Sequence, residues 1–206
     1  MHRRAFLAAT LAAATIAPLA GTAMAQEAAA PAAVAELSMG KADAPVTLIE
    51  YASYTCPHCQ RFHEEVFGKI KANYIDTGKV RFIYREVYFD KYGLWAAMIA
   101  RCGGEMKYFG ISDMLYDTQK DWLAPGDDAG IAENLRKVGL KAGLSADEID
   151  QCMNDEGKAR AMVETYQKNA TADKIEGTPS FIIDGQLYKN MGYDEFAATL
   201  DAKLAD

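Results

Sequence analysis

Hydrophobic and polar positions follow two different rhythms along this chain. VTLIEYAS (46–53), bounded by Pro45, is rich in β-branched and aromatic residues and predicts a buried strand. Beyond it Phe62, Val66, Ile70 and Tyr74 recur at spacing four with Phe67 beside them, an apolar helical stripe that Gly78 closes. KVRFIYREV (79–87) returns to strand character, so 46–87 predicts a strand–helix–strand unit. Residues 91–173 hold helical patterns and turn signals (Gly103-Gly104, Pro125-Gly126, Gly139, Gly143) without a convincing strand, and Ser145 with Glu148 makes a capping-box start. Phe181–Ile183, the Asp184-Gly185 turn and Gln186–Lys189 then predict a β-hairpin. GYDEFAATLDAKL (192–204) predicts a closing amphipathic helix with Phe196 and Leu200 on one face, and no internal repeat is present.

The N-terminal end fits neither rhythm. MHRR is a short basic start, AFLAATLAAATIAPLAG an apolar run interrupted by Pro18, and Ala23-Met24-Ala25 a small-residue cleavage signal. The run is shorter than the ~20 residues that span a bilayer. Residues 1–25 are therefore expected to be a signal peptide cleaved after Ala25, with an uncleaved anchor as the alternative. Arg3-Arg4 also fits a twin-arginine signal, and either route ends outside the cytoplasm, in the periplasm. Residues 26–36, alanine-rich and nearly uncharged, are expected to be a mobile tether, with folded structure from about Leu37.

Charge removes one class of partner. The leader carries two arginines and no acid, so its loss takes the formal net charge from −7 to −9. That argues against nucleic acid, whose binding domains show a basic footprint. Four cysteines, all after the leader, enter an oxidising compartment, where an even count favours disulfides.

Two of them form the motif CPHC at 56–59. Cys56 follows a predicted strand, and Pro57 suits the first helical position, so Cys56 is expected at a helix N-terminus. There the helix dipole and free backbone N–H groups favour a thiolate. Cys59 lies three residues on, within bridging distance on the same helical face. The disulfide is expected to be labile, because whatever stabilises the Cys56 thiolate stabilises the reduced form. A protonated His58 would push the same way. A purely structural bridge is one alternative, although so short a loop constrains the unfolded chain little. Zinc or copper held by Cys56, Cys59 and His63 is another, but a closed structural zinc site needs four ligands. No metal and no cofactor is expected, and His63 reads as an exposed bystander on the helix.

The GKADAPVTLIEY segment, CPHC at a helix start, a helical block after the second strand, and GTPSFIIDG together resemble the DsbA family of thiol–disulfide oxidoreductases, over about 39–204. The resemblance implies an α/β, thioredoxin-like fold. Residues 37–90 would form a βαβ half, 91–173 an inserted helical domain, and 174–206 a ββα half. It implies a cis peptide bond before Pro179, facing CPHC, with the Thr178 backbone presented to a substrate peptide. It also matches Glu50 to a buried acid beneath the disulfide that tunes the proton of Cys59, against the alternative of a solvated edge carboxylate. Arg85 is the expected charge partner of Glu50. Cys102 and Cys152 are expected to form a structural bridge, since free thiols are disfavoured after export and some family members carry a second bridge.

The function so implied is disulfide donation from Cys56–Cys59 to reduced, unfolded or folding exported proteins, through a mixed disulfide. Reoxidation would come from a quinone-linked membrane partner of the DsbB type, and the short N-terminus suggests a monomer. A disulfide isomerase or reductase on the same fold is the alternative, mildly favoured by Thr178. A non-enzymatic metal-binding module ranks below both.

Overall fold

The computed structural model describes residues 34–205, so the expected leader and cleavage site, and the tether as far as residue 33, lie outside the described residues. Five strands form one sheet in the order β1-β3-β2-β4-β5: β1 Leu37–Met39, β2 Val46–Ala52, β3 Val80–Glu86, β4 Ser180–Ile183 and β5 Gln186–Lys189. β2 and β3 are parallel; β1 pairs with β3, β4 with β2 and β5 with β4 in antiparallel sense. The largely hydrophobic β2 thus occupies the centre of the sheet with neighbours on both edges, as a strand so deeply buried requires. β1 has no counterpart in the sequence expectation, because three residues are too few to show a period.

Between β2 and β3 runs one continuous helical rod: α1 Pro57–Phe62, a π-helical stretch His63–Phe67, α2 Gly68–Ile70 and a second π-helical stretch Lys71–Ile75. Its apolar stripe packs onto the sheet, where the rings of Phe62, Phe181 and Phe196 meet at centroid distances of 4.7 to 5.6 Å. Phe196 comes from the closing helix α9 Tyr193–Ala205, which packs on α2 and β2. The β4–β5 turn places Asp184 at φ +46° and Gly185 at +80°, the left-handed pair that a two-residue hairpin of this type needs.

The expected helical block contains α3 Lys91–Cys102, α4 Gly104–Asp117, α5 Gln119–Leu123, α6 Asp128–Lys141, α7 Ala146–Met153 and α8 Glu156–Ala172. α3 is its hub, packed on α4, α6, α7 and α8. The capping box at α7 is formed as the sequence predicts: the Ser145 hydroxyl accepts from the Glu148 N–H and the Glu148 carboxylate from the Ser145 N–H. Cys102 at the end of α3 is bonded to Cys152 in α7, their Cα atoms 5.9 Å apart. Part of the stretch expected as tether is fastened. Glu36 accepts from Arg85 at 2.6 Å and the Ala35 carbonyl accepts from Arg101 at 2.9 Å.

Candidate active site

Cys56 occupies the N-cap of α1 with extended backbone (φ −81°, ψ 119°), and Pro57 takes the first helical turn. The proline fits because its missing N–H would have had no intrahelical partner. The loop is held from both sides. The Cys56 N–H donates to the Ser53 carbonyl at 3.0 Å. The buried Gln119 amide donates to the carbonyls of Tyr54 at 2.8 Å and Cys56 at 3.1 Å. Gln119 had no signal in the sequence, since it comes from a short helix in the distant block.

Across the groove, the Thr178–Pro179 peptide bond is cis, and the Cys56 Sγ donates to the Thr178 carbonyl at 3.6 Å. The cis bond that the resemblance implied is present, with Thr178 against Cys56. The Thr178 hydroxyl is buried and has no hydrogen-bond partner of ordinary geometry among the described residues. Thr178 nevertheless favours the thiolate form of each cysteine.

The two cysteines are both free thiols here and chemically unequal. The Cys56 thiol is lowered to about 5, chiefly by the hydrogen bond that the Cys59 thiol offers its thiolate. Burial opposes this, while Thr178 and the backbone N–H groups of Cys59 and His58 add to it. His58 thus enters through its backbone; its side chain is exposed. Cys59 is fully buried, and burial first, then the neighbouring Cys56, pushes its thiol far above the usual range. The charge of Glu50 pushes the same way.

Glu50 is completely buried at the centre of β2, between Tyr84 of β3 and Phe181 of β4, which removes the solvated-edge alternative. Its partner is not Arg85. In the parallel β2–β3 register Glu50 lies beside Tyr84 and Tyr51 beside Arg85, so Arg85 belongs to the opposite face. There it bonds Tyr51 at 2.7 Å, Asp173 at 2.8 Å and Glu36.

The partner of Glu50 is His63, whose Nε2 lies 3.2 Å from each carboxylate oxygen. This corrects the reading of His63 as an exposed bystander: its side chain is 8 % exposed. Its ring stacks on Tyr116 at 4.1 Å and 18°. The reason is tertiary. α4, which carries Tyr116, packs over the helix face on which His63 stands. A signal was available in the sequence: a carboxylate inside an apolar strand needs a partner, and His63 follows Cys59 by four residues.

A buried polar network ties α3 and α4 to the floor of the site. Tyr54 shares a hydrogen bond with Ser112 at 2.6 Å and donates to Tyr108 at 3.3 Å. Tyr108 donates to Glu86 at 2.7 Å. Arg101 makes a two-pronged pair with Glu86, both contacts at 2.7 Å. Tyr84 and Tyr116 share a hydrogen bond at 2.5 Å. None of these pairings was expected from the sequence. Among the described residues, no group of three or more His, Cys, Asp or Glu side chains is placed to hold a metal ion.

The chain is similar in sequence and fold to known proteins. The family model described as thioredoxin matches residues 32–202. A protein of Rickettsia typhi named as a protein-disulfide oxidoreductase is 31% identical over 172 residues, covering 83% of this chain and 63% of its own length. The chain thus spans somewhat under two thirds of that relative. Disulfide bond formation protein D of Bacillus subtilis is 27% identical over 177 residues, 81% of this chain and 76% of that protein. The crystal structure of Wolbachia pipientis alpha-DsbA1 matches with a TM-score of 0.73 and 29% identity, over 82% of this chain and 91% of that one.

Proposed function

The chain belongs to the thioredoxin family, among its DsbA-like members, and on that premise we propose that it is an exported protein disulfide oxidoreductase that donates the Cys56–Cys59 disulfide to folding proteins. One observation carries the reading. Cys56 sits at a helix N-cap with its thiol lowered to about 5, while Cys59, three residues on, is buried and strongly disfavoured as a thiolate.

The asymmetry assigns the steps. A client thiolate attacks the Cys56 sulfur of the disulfide form, the S–S bond to Cys59 breaks, and a mixed disulfide joins client and Cys56. A second client thiolate then attacks its own sulfur in that mixed disulfide, and Cys56 departs as a stabilised thiolate. A stable leaving thiolate makes the enzyme's disulfide the more oxidising partner. Glu50 tunes the proton on Cys59 from below. The Thr178 backbone, beside Cys56 and next to Pro179, offers the client an edge for strand addition. The Cys102–Cys152 bridge is structural, joining the ends of a 50-residue span of the inserted block away from CPHC.

The proposal extends to place and partners: a periplasmic monomer after removal of residues 1–25, acting on reduced exported proteins and reoxidised by a quinone-linked membrane protein of the DsbB type. The test combines a redox equilibrium against glutathione with oxidation of a reduced, unfolded protein that needs disulfides. Oxidation of that client by the disulfide form, abolished by Cys59→Ser, is expected. A potential near that of thioredoxin with no client oxidation would sink the oxidase reading, and reshuffling of a scrambled client would point to the isomerase.

A further inference from the structure

The Glu50 carboxylate is sealed inside the sheet, and the only hydrogen bonds it makes among the described residues are those with His63. An isolated buried carboxylate is strongly disfavoured, so the His63 contact is what makes the burial of Glu50 tolerable. The two groups differ in access. The Glu50 side chain is 0% exposed and that of His63 is 8% exposed, so the pair has an inner end and an outer end. His63 is also fixed in place. It opens the first π-helical stretch of the rod, stacks on Tyr116 and packs on Phe67 at a centroid distance of 4.6 Å. Such π-helical turns often mark functional positions.

The other titratable groups around the ring are few. Tyr84 of β3 meets it edge-on at 6.2 Å, and Tyr116 of α4 lies on its face. Burial raises both phenols and keeps them neutral. Asp113 of α4 is the other carboxylate whose field couples to the imidazole. On its own helix, Cys59 lies four residues back, one turn away on the same side.

We propose that His63 is a positioning residue for exchange at Cys59, acting through Glu50, so that the pair relays a proton between solvent and the buried sulfur. The inference rests on the tuning role of Glu50 given above. In the forward step the client thiolate bonds to the Cys56 sulfur, and the electron pair of the broken S–S bond goes to Cys59. The Cys59 sulfur takes a proton from Glu50 as that bond breaks; His63 resupplies Glu50, and solvent resupplies His63. Reoxidation by a disulfide-bearing partner reverses the path. Cys59 returns its proton to Glu50, attacks the Cys56 sulfur of the mixed disulfide, and the partner leaves as a thiolate. The relay answers a need set by burial, since Cys59 is a poor place for a bare thiolate.

The test is stopped-flow reduction of the disulfide form by dithiothreitol between about pH 5 and 9, with rates expressed per dithiothreitol thiolate. His63→Gln keeps a donor for Glu50 but cannot titrate. It is expected to slow reduction on the order of 10²-fold and to flatten the pH profile, the size of a general acid–base effect. In a Glu50→Gln background the same change should add nothing. The Cys56 thiolate titration, followed at about 240 nm, should stay in place, because its determinants do not include His63. An unchanged rate and profile in His63→Gln, or equal slowing in both backgrounds, would overturn the relay. Should the variant fail to fold, the native protein still decides. Its rate per thiolate should fall in D2O, and an isotope effect of unity would overturn the proposal. Dithiothreitol reduction proceeds whatever the clients are, so failure here is distinct from failure of the oxidase reading.

Discussion

The Cys56 sulfur lies 3.6 Å from the Thr178 carbonyl oxygen, although 122 residues separate the two in sequence. A carbonyl accepts the thiol hydrogen but offers nothing to a thiolate. On losing its proton, Cys56 depends instead on the Cys59 thiol, on the Thr178 side chain and on the N–H groups of Cys59 and His58. The reduced protein is therefore expected to show a thiolate absorbance that titrates at about 5. Cys59→Ala removes the largest stabiliser and should raise that midpoint by about one unit or more, a differential of ~1.4 kcal/mol. A midpoint unmoved in Cys59→Ala would place the stabilisation elsewhere.

Thr178 offers a finer version of the same measurement. Its hydroxyl is buried without a formed hydrogen bond, so replacing it with a methyl group leaves no polar atom unpaired. Thr178→Val should hold or raise the melting temperature of the reduced protein. The Cys56 midpoint should move upward by less than in Cys59→Ala, because Thr178 ranks below Cys59 among its causes.

Stability should depend on pH in a direction the Cys56 shift dictates. A thiol held below its ordinary value binds fewer protons folded than unfolded between about 5 and 9. The reduced protein therefore gains stability as pH rises through that window and loses it as pH falls through about 5. In the disulfide form Cys56 does not titrate. The difference in melting temperature, reduced minus oxidised, is expected to grow from pH 5 to pH 9; a flat difference would contradict the assigned thiolate.

The second cysteine pair should act on stability alone. Cys102 and Cys152 close a loop of 50 residues, and in the chain-entropy picture such a bridge contributes roughly 4 kcal/mol. Cys102→Ser with Cys152→Ser is expected to lower urea stability by an amount of that order. Reduction kinetics at Cys56 should be unaltered.

The buried pair of Glu86 and Arg101 gives a sharper stability test. Both side chains are under a tenth exposed, and Arg101 satisfies both carboxylate oxygens. Arg101→Met strands the carboxylate and is expected to destabilise by about 3–5 kcal/mol. Adding Glu86→Leu should recover part of the loss, since a buried ion pair replaced by apolar groups is often close to neutral. A unfolding series over the single and double variants reads both.

Several features were legible in the residues themselves because they are local. The strand 46–52, the stripe from Phe62 to Tyr74 and the Asp184-Gly185 hairpin each repeat or turn within a few residues. The exposure of Cys56 to the helix N-terminus follows from where a helix starts after a strand and a proline, whereas the burial that raises Cys59 is tertiary. Glu50 and His63 were both visible as candidates, but their roles came out differently. The burial of Glu50 agreed with the resemblance, whereas His63 was read as solvated, because a period assigns a face and says nothing of what covers it.

What the sequence determined by itself was most of the elements and the placement of Cys56 at a helix start, since dihedral preference, helix capping and side-chain period act over neighbouring residues. The tertiary structure decided the partners. Strand register turned Arg85 away from Glu50 and toward Tyr51, Asp173 and Glu36. α4, arriving some fifty residues after Cys59, closed over His63 and left it Glu50 as its partner. Thr178 reached Cys56 only because β4 pairs with β2. Each of these contacts depends on how distant segments bury one another's polar groups, and that is settled only when the whole core packs.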